Sequence, residues 1–77
     1  MIEVLFFAGL KEEAGMASMQ VDAIGMTVEE MCEKYLVKLN LPSLDKAMTA
    51  INEEYAPGSA VLNSGDVVAF IPPVSGG

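Results

Sequence analysis

Residues 63–73 read NSGDVVAFIPP. Four turn-forming residues come first, and the next five, 67–71, are apolar on both faces, as in a strand with neighbours on both sides. Pro72 and Pro73 then end the strand, because neither can donate a backbone N–H, and they favour an extended exit. The segment therefore predicts an interior strand from which the chain leaves the sheet at Pro72.

A second interior strand is predicted near the start of the chain, over residues 2–8. Ile2, Val4 and Phe6 face one way, whereas Leu5 and Phe7 face the other, so both faces are again apolar. Weaker patterns predict a turn of helix at 10–14, a half-exposed strand at 19–23 and a further strand at 47–52. The chain therefore contains two interior strands and at least two flanking ones.

The main helix is predicted to begin at Thr27, which together with Glu30 matches a capping box. One apolar stripe follows at helical spacing and consists of Val28, Met31, Cys32, Tyr35, Leu36 and Leu39. Asn40 and Pro42 supply the stop. The order strand, strand, helix, strand, strand predicts an α+β fold in which this helix covers a mixed sheet, the β-grasp, although the same order permits other α+β topologies. We place the domain at 1–71 and an extended tail at 72–77.

Charge and composition exclude several classes of function. Eleven acidic residues against four lysines give a net charge of -7, and arginine is absent, which argues against nucleic acid or an anionic membrane and favours a basic protein partner. Without arginine the chain is poorly equipped to hold a phosphorylated cofactor, so none is expected. With no histidine and one cysteine, zinc sites and Cys–His pairs are excluded, and the chain is not expected to be an enzyme by itself.

The single cysteine, Cys32, cannot form an internal disulfide, and neither a signal peptide nor an apolar run of bilayer-spanning length is evident, so we expect a cytoplasmic protein. Because Cys32 lies in the helix stripe, it is predicted to be a packing residue and not a reactive thiol. The adjacent pairs Glu12–Glu13 and Glu53–Glu54 are expected on the solvated surface, since neighbours in sequence point apart.

Three segments together carry a resemblance to a known family: residues 4–8, VLFFA; residues 50–52, AIN; and residues 65–77, GDVVAFIPPVSGG. Gly-Asp, an apolar strand, Pro-Pro and then a terminal Gly-Gly form a more specific combination than Gly-Gly alone. The chain resembles the small subunit of molybdopterin synthase over its whole length. The resemblance implies a ubiquitin-like sulfur carrier in molybdenum cofactor biosynthesis.

In that family an adenylating, E1-like enzyme uses ATP to activate the terminal glycine, here Gly77, which then becomes a thiocarboxylate. The large subunit of molybdopterin synthase uses the sulfur to build the dithiolene of the product, in a heterotetramer of two large and two small subunits. Gly76 and Gly77 have no side chains, so the tail can enter a narrow channel. These two residues are the predicted sulfur-carrying site.

Partner contacts are predicted on the folded domain and along the tail. Phe7 and Ile71 are placed where the two interior strands could form an apolar patch beside the tail exit, with core burial as the equal alternative for each. Lys11 matches a position that often carries arginine in the family and pairs there with partner carboxylates. The tail residues predicted to contact the partner are Pro72, Pro73, Val74 and Ser75.

Three alternatives remain open from the sequence. A sulfur carrier for thiamine thiazole synthesis would also end in Gly-Gly on a β-grasp. A ubiquitin-like modifier would join its terminus to lysines of other proteins. A purely structural interaction domain would keep the fold and carry no sulfur. The Phe-Phe-Ala opening and the Phe-Ile-Pro-Pro-Val-Ser approach to the tail favour the molybdopterin family.

Overall fold

The structure is a computed structural model and describes residues 1–72. It contains one five-stranded sheet in the order β2-β1-β5-β3-β4. The central strands β1 and β5 are parallel, and all the other neighbours are antiparallel. The strands are β1 (Ile2–Phe6), β2 (Ser18–Val21), β3 (Met48–Ile51), β4 (Glu54–Tyr55) and β5 (Val67–Ile71). The predicted mixed sheet is therefore present, with both interior strands at its centre.

The main helix begins with α2, Val28–Met31, continues as a π-helical segment, Cys32–Leu36, and ends in a 3-10 turn, Val37–Leu39. The capping box at its start is complete: the Thr27 hydroxyl accepts from the Glu30 N–H at 3.1 Å, and the Glu30 carboxylate accepts from the Thr27 N–H at 2.9 Å. Asn40 ends the helix in the left-handed region, with φ 54°. The helix and both its signals are confirmed.

A short helix, α1 (Gly9–Ala14), follows β1 and ends at Gly15, whose φ of 73° suits glycine. A further 3-10 segment, Pro42–Lys46, precedes β3. The two are joined by Glu13, whose carboxylate accepts hydrogen bonds from the Ser43 N–H at 3.1 Å and the Ser43 hydroxyl at 2.7 Å. Glu13 is exposed as predicted, but it also ties two distant segments together.

The core lies between the main helix and one face of the sheet, which we call the inner face. The rings of Phe6 and Phe70, on neighbouring central strands, stack with their centroids 6.5 Å apart. The buried apolar residues of the cluster are Ile2, Val4, Phe6, Leu10, Val21, Ala23, Val28, Met31, Leu36, Leu41, Leu62, Val68 and Phe70. Because no polar residue is buried among residues 1–72, this core is held by apolar packing alone. The arrangement is the β-grasp predicted from the sequence.

Three details differ from the prediction. The first strand ends at Phe6 and not at Ala8. The second strand ends at Val21, so Ala23 enters the core from a loop although it is fully buried. The two-residue strand β4 was not predicted at all; its Glu54 and Tyr55 pair with Ile51 and Ala50 across the turn Asn52–Glu53. Within residues 1–72, no helix is both long enough and apolar enough to cross a bilayer.

Candidate functional site

The second face of the sheet, the outer face, is not covered by the main helix and carries a row of apolar side chains. The strand register places Leu5 beside Ala69, Ala69 beside Ala50, and Ala50 beside Tyr55. The two alanines are small, so they form a floor between a ridge on β1 and the Tyr55 ring on β4. The result is an open groove of about 700 Å³.

We call this feature the outer groove. Its lining residues are Leu5, Phe7, Ala50, Asn52, Glu53, Tyr55, Val67, Ala69 and Ile71. Large apolar side chains are unusually accessible around it: Phe7 is 45% exposed, Tyr55 72% and Met48 44%. A contiguous apolar surface of this kind on a small protein is typical of an interaction site. The outer groove is therefore the candidate docking surface.

The described chain leaves the sheet at one end of the outer groove. Phe6 pairs with Phe70 in the parallel ladder; Phe7 directly follows β1, and Ile71 is the last residue of β5. Met48 pairs with Ile71 from the other side. The exit of the chain toward Pro72 is thus surrounded by apolar side chains, and we call this the tail end of the groove.

The structure distinguishes between the two interpretations offered for Phe7 and Ile71. Both line the outer groove, Ile71 half-buried and Phe7 exposed, and neither belongs to the core cluster. Pro72 is half-buried and is the last described residue. Pro73, Val74, Ser75, Gly76 and Gly77 lie outside the described residues, so their predicted roles stay predictions. The structure brings Phe7, Ile71 and Pro72 together at the tail end.

Lys11 lies on α1, which begins two residues after Phe7, and it is exposed. It is not among the residues that line the outer groove. The connection from β1 to α1 turns sharply at Ala8, which has φ 51° and ψ -127° and whose carbonyl accepts the Lys11 N–H at 3.0 Å. Lys11 therefore lies on the helix that follows Phe7, outside the groove, and its partner contact stays a prediction.

The opposite end of the outer groove, the far end, is built around the turn Asn52–Glu53. Asn52 donates from its side chain to the Asp66 carboxylate at 2.9 Å and accepts from the Val67 N–H at 3.0 Å. Its own N–H donates to the Val67 carbonyl at 2.8 Å. Asn52 thereby fixes the β3–β4 turn to the start of β5.

The carboxylate of Asp66 is held in its ionised form at this end. It accepts the Asn63 N–H at 2.8 Å as well as the Asn52 amide. The Asn63 backbone bond and then the Asn52 bond hold the pKa of Asp66 below its usual range, because both stabilise the charged form. The far end is therefore polar and acidic, whereas the tail end is apolar.

Cys32 has no place in this site. It is half-buried and packs against the core from the main helix, as predicted. Burial, and after it the charges of Glu29 and Glu33, raise the pKa of its thiol to about 11. The thiol is therefore protonated at neutral pH and is a poor nucleophile. Among residues 1–72, no group of three His, Cys, Asp or Glu side chains could hold a metal ion.

Sequence reasoning missed the contribution of β4 to the site. Tyr55 and Glu53 both line the outer groove, but Glu53–Glu54 was predicted only as solvated surface. The two side chains do point apart. Glu54 pairs with Ile51, which is on the inner face with Val68, whereas Glu53 lines the outer groove. The available signal was Asn52, a residue that tolerates left-handed conformations and so allows a tight turn.

The chain is similar over its full length to known proteins. A model of the ThiS family matches residues 4–77. The molybdopterin synthase sulfur carrier subunit of Escherichia coli is 36% identical over 81 residues, which cover 100% of both proteins.

Two solved structures share the fold. One is a complex of subunits 1 and 2 of the molybdopterin-converting factor from Helicobacter pylori, with a TM-score of 0.75 at 27% identity, covering 99% of this chain and 97% of the other. The other is the small archaeal modifier protein 1 of Haloferax volcanii, with a TM-score of 0.70 at 29% identity, covering 95% and 97% of the two chains.

Proposed function

We propose that the chain, which belongs to the ThiS family, is a sulfur carrier for molybdenum cofactor biosynthesis. The proposal is supported by its similarity, from end to end, to the molybdopterin synthase sulfur carrier subunit of Escherichia coli. In this proposal an E1-like enzyme adenylates the Gly77 carboxylate with ATP, and sulfur then replaces AMP to give a thiocarboxylate. That sulfur passes to the pyranopterin precursor in the large subunit of molybdopterin synthase.

The observation that carries the proposal is the position of the tail exit. The chain leaves β5 at the apolar end of the outer groove, between Phe7 and Met48. A partner that docks on the groove is therefore adjacent to the tail that it must receive. Gly77 lies five residues after Pro72 and can reach at most about 18 Å beyond it, so docking and delivery must occur at one partner surface.

The activation steps follow from the chemistry of a carboxylate. An ionised carboxylate is a poor acyl electrophile, because its oxygen is a poor leaving group. A Gly77 oxygen attacks the α-phosphorus of ATP and pyrophosphate leaves. A sulfur nucleophile from the donor then attacks the acyl carbon and expels AMP. The activating enzyme binds the ATP and the donor supplies the sulfur, so the carrier itself needs no bound cofactor.

The described residues are suited to presenting the tail and not to catalysis. The chain has no histidine, and the thiol of Cys32 is protonated at neutral pH. Acid–base catalysis by imidazole and sulfur transfer through an internal thiolate are therefore not available to it. What the chain supplies is a rigid domain with an accessible apolar surface, which raises the effective concentration of the tail at the partner's site.

The large subunit is the proposed partner at the outer groove. The Helicobacter pylori structure, a complex of subunits 1 and 2 of the molybdopterin-converting factor, supports this partner. We further propose the heterotetramer of two large and two small subunits, with Lys11 and the tail residues, Pro72 to Ser75, in contact with the partner. We propose the cytoplasm as its location, since the adenylation step requires ATP.

Intact mass spectrometry tests the proposal. The chain is incubated with its cognate activating enzyme, ATP and a sulfur donor, and a gain of about 16 Da is expected as oxygen is replaced by sulfur. A matched variant that lacks Gly76 and Gly77 should gain nothing. An unchanged wild-type mass under conditions that charge a known carrier would contradict the proposal.

A ubiquitin-like modifier is the second candidate, favoured by the similarity to the small archaeal modifier protein 1. It predicts higher-mass conjugates to other proteins in the same reaction. A carrier for thiamine thiazole synthesis would gain the same sulfur but fail to pass it to a pyranopterin precursor with the large subunit. Conjugates to other proteins would therefore identify a modifier, and failure to transfer sulfur to the pyranopterin precursor would identify a carrier for thiamine thiazole synthesis.

A further inference from the structure

We infer that Glu53 is a partner-binding residue, which pairs with an arginine or lysine that the partner places at the far end of the outer groove. This inference rests on the proposed function, because it takes the large subunit as the partner. The role we assign to Glu53 is orientation: it fixes which end of the groove faces the partner's active site.

Glu53 has a distinctive place in the groove. Among the lining residues in the described part of the chain, it is the one with a charged side chain. It lies at the far end, near Val67, while Phe7 and Ile71 lie at the tail end. A partner that meets an apolar surface at one end and a carboxylate at the other can dock in only one direction without leaving a charge unpaired.

The position of Glu53 is fixed by its neighbours. Asn52 is bonded through its backbone and its side chain to Val67 and through its amide to Asp66. The turn is thereby attached to β5, a central strand, and does not hang freely from the edge of the sheet. A charge presented from such a turn is preorganised for binding, so less conformational entropy is lost on association.

The backbone of Glu53 is also in an unfavourable conformation for its residue type. Its φ is 72°, in the left-handed region, where glycine would be about 1 kcal/mol more favourable. Within residues 1–72 its carboxylate takes no part in the side-chain hydrogen bonds that hold Asn52 and Asp66. The side chain of Glu53 therefore makes no hydrogen bond within residues 1–72 that would offset the backbone strain, as expected for a side chain that acts on a partner.

Charge complementarity determines the kind of partner group. The chain carries a net charge of -7, and the far end also holds the ionised carboxylate of Asp66. Glu3, which pairs with Val67 across β1 and β5, adds a third carboxylate at this end of the sheet. A cationic side chain is the group that this end attracts, and arginine or lysine supplies it without a proton transfer.

The experiment compares Glu53→Gln with Glu54→Gln, which change the same charge at adjacent positions that face opposite sides of the sheet. Binding of the full chain to its cognate large subunit is measured by calorimetry at low salt. For Glu53→Gln the dissociation constant should rise about threefold to tenfold, whereas Glu54→Gln should bind like the wild type. In about 1 M salt, where the screening length is about 3 Å, the difference should largely disappear.

Glu53→Gly adds a readout that a purely structural role would not produce. It should raise the melting temperature, because glycine relieves the left-handed backbone, and yet weaken binding at least as much as Glu53→Gln. Equal weakening by Glu53→Gln and Glu54→Gln would overturn the inference, because it would indicate only long-range attraction. Wild-type affinity in Glu53→Gln would overturn it as well.

The result also separates this inference from the proposed function. If the wild-type chain gains sulfur and binds the large subunit but Glu53→Gln is unaffected, the carrier function stands and the assignment of Glu53 is wrong. If the wild-type chain fails to bind the large subunit at all, both are overturned.

Discussion

Replacement of Phe7 by alanine tests the docking role of the outer groove most specifically. Phe7 is 45% exposed in the free chain. An aromatic side chain buries about 200 Å² when fully covered, so about 90 Å² of Phe7 remains to be buried on docking. At about 25 cal/mol per Å², this area corresponds to about 2 kcal/mol of binding free energy, or about a thirtyfold rise in the dissociation constant for Phe7→Ala.

The assay is titration calorimetry of each variant against the cognate large subunit, with folding checked by thermal denaturation. Val37→Ala is the matched control, because Val37 is 68% exposed on the main helix and does not line the outer groove. It should bind like the wild type. A folded Phe7→Ala variant with wild-type affinity, or a loss of affinity in Val37→Ala as large as that in Phe7→Ala, would refute the docking assignment.

Three further predictions concern stability and thiol chemistry. Glu53→Gly should raise the free energy of unfolding by about 1 kcal/mol and the melting temperature by about 5 °C, since φ is 72° there; a lower melting temperature would contradict this. The pKa of Asp66 is lower in the folded chain than in the unfolded chain. Its contribution to the free energy of unfolding is therefore fully present above the pKa of the unfolded state and is lost as the pH falls through the pKa of the folded state. Denaturant titrations between about pH 5 and pH 2 should therefore show a smaller loss of stability in Asp66→Asn than in the wild type. Because burial raises the pKa of the Cys32 thiol to about 11, Cys32 should resist alkylation at neutral pH until the chain unfolds, and Cys32→Ser should gain sulfur normally; rapid labelling of the native chain would contradict this.

The interior strands and the main helix could be predicted because their signals are local. Both central strands are apolar on two faces, and the strand at 67–71 has the bounds that the turn before it and the prolines after it indicate. The capping box at Thr27 and Glu30 needs only four consecutive residues to form. The parallel pairing of β1 with β5 was not predicted, because interior position fixes neither the neighbour of a strand nor its direction.

The outer groove could not be predicted in full, because it depends on register between distant segments. Its floor exists because Ala50 and Ala69 pair across β3 and β5, which are separated in sequence by the fifteen residues 52–66. Strand β4 has two residues, and the turn before it has Glu53 where a glycine would have been a clear signal. The bond from Ser43 to Glu13 likewise joins residues thirty positions apart.

The most direct test of the central claim is to locate the transferred sulfur by fragmentation of the charged chain in a mass spectrometer. We predict a gain of about 16 Da confined to the C-terminal peptide that ends in Gly77, and its loss when the large subunit and a pyranopterin precursor are added. Sulfur found instead on the peptide that contains Cys32, or a Gly77 mass gain that persists in the presence of both, would contradict the account.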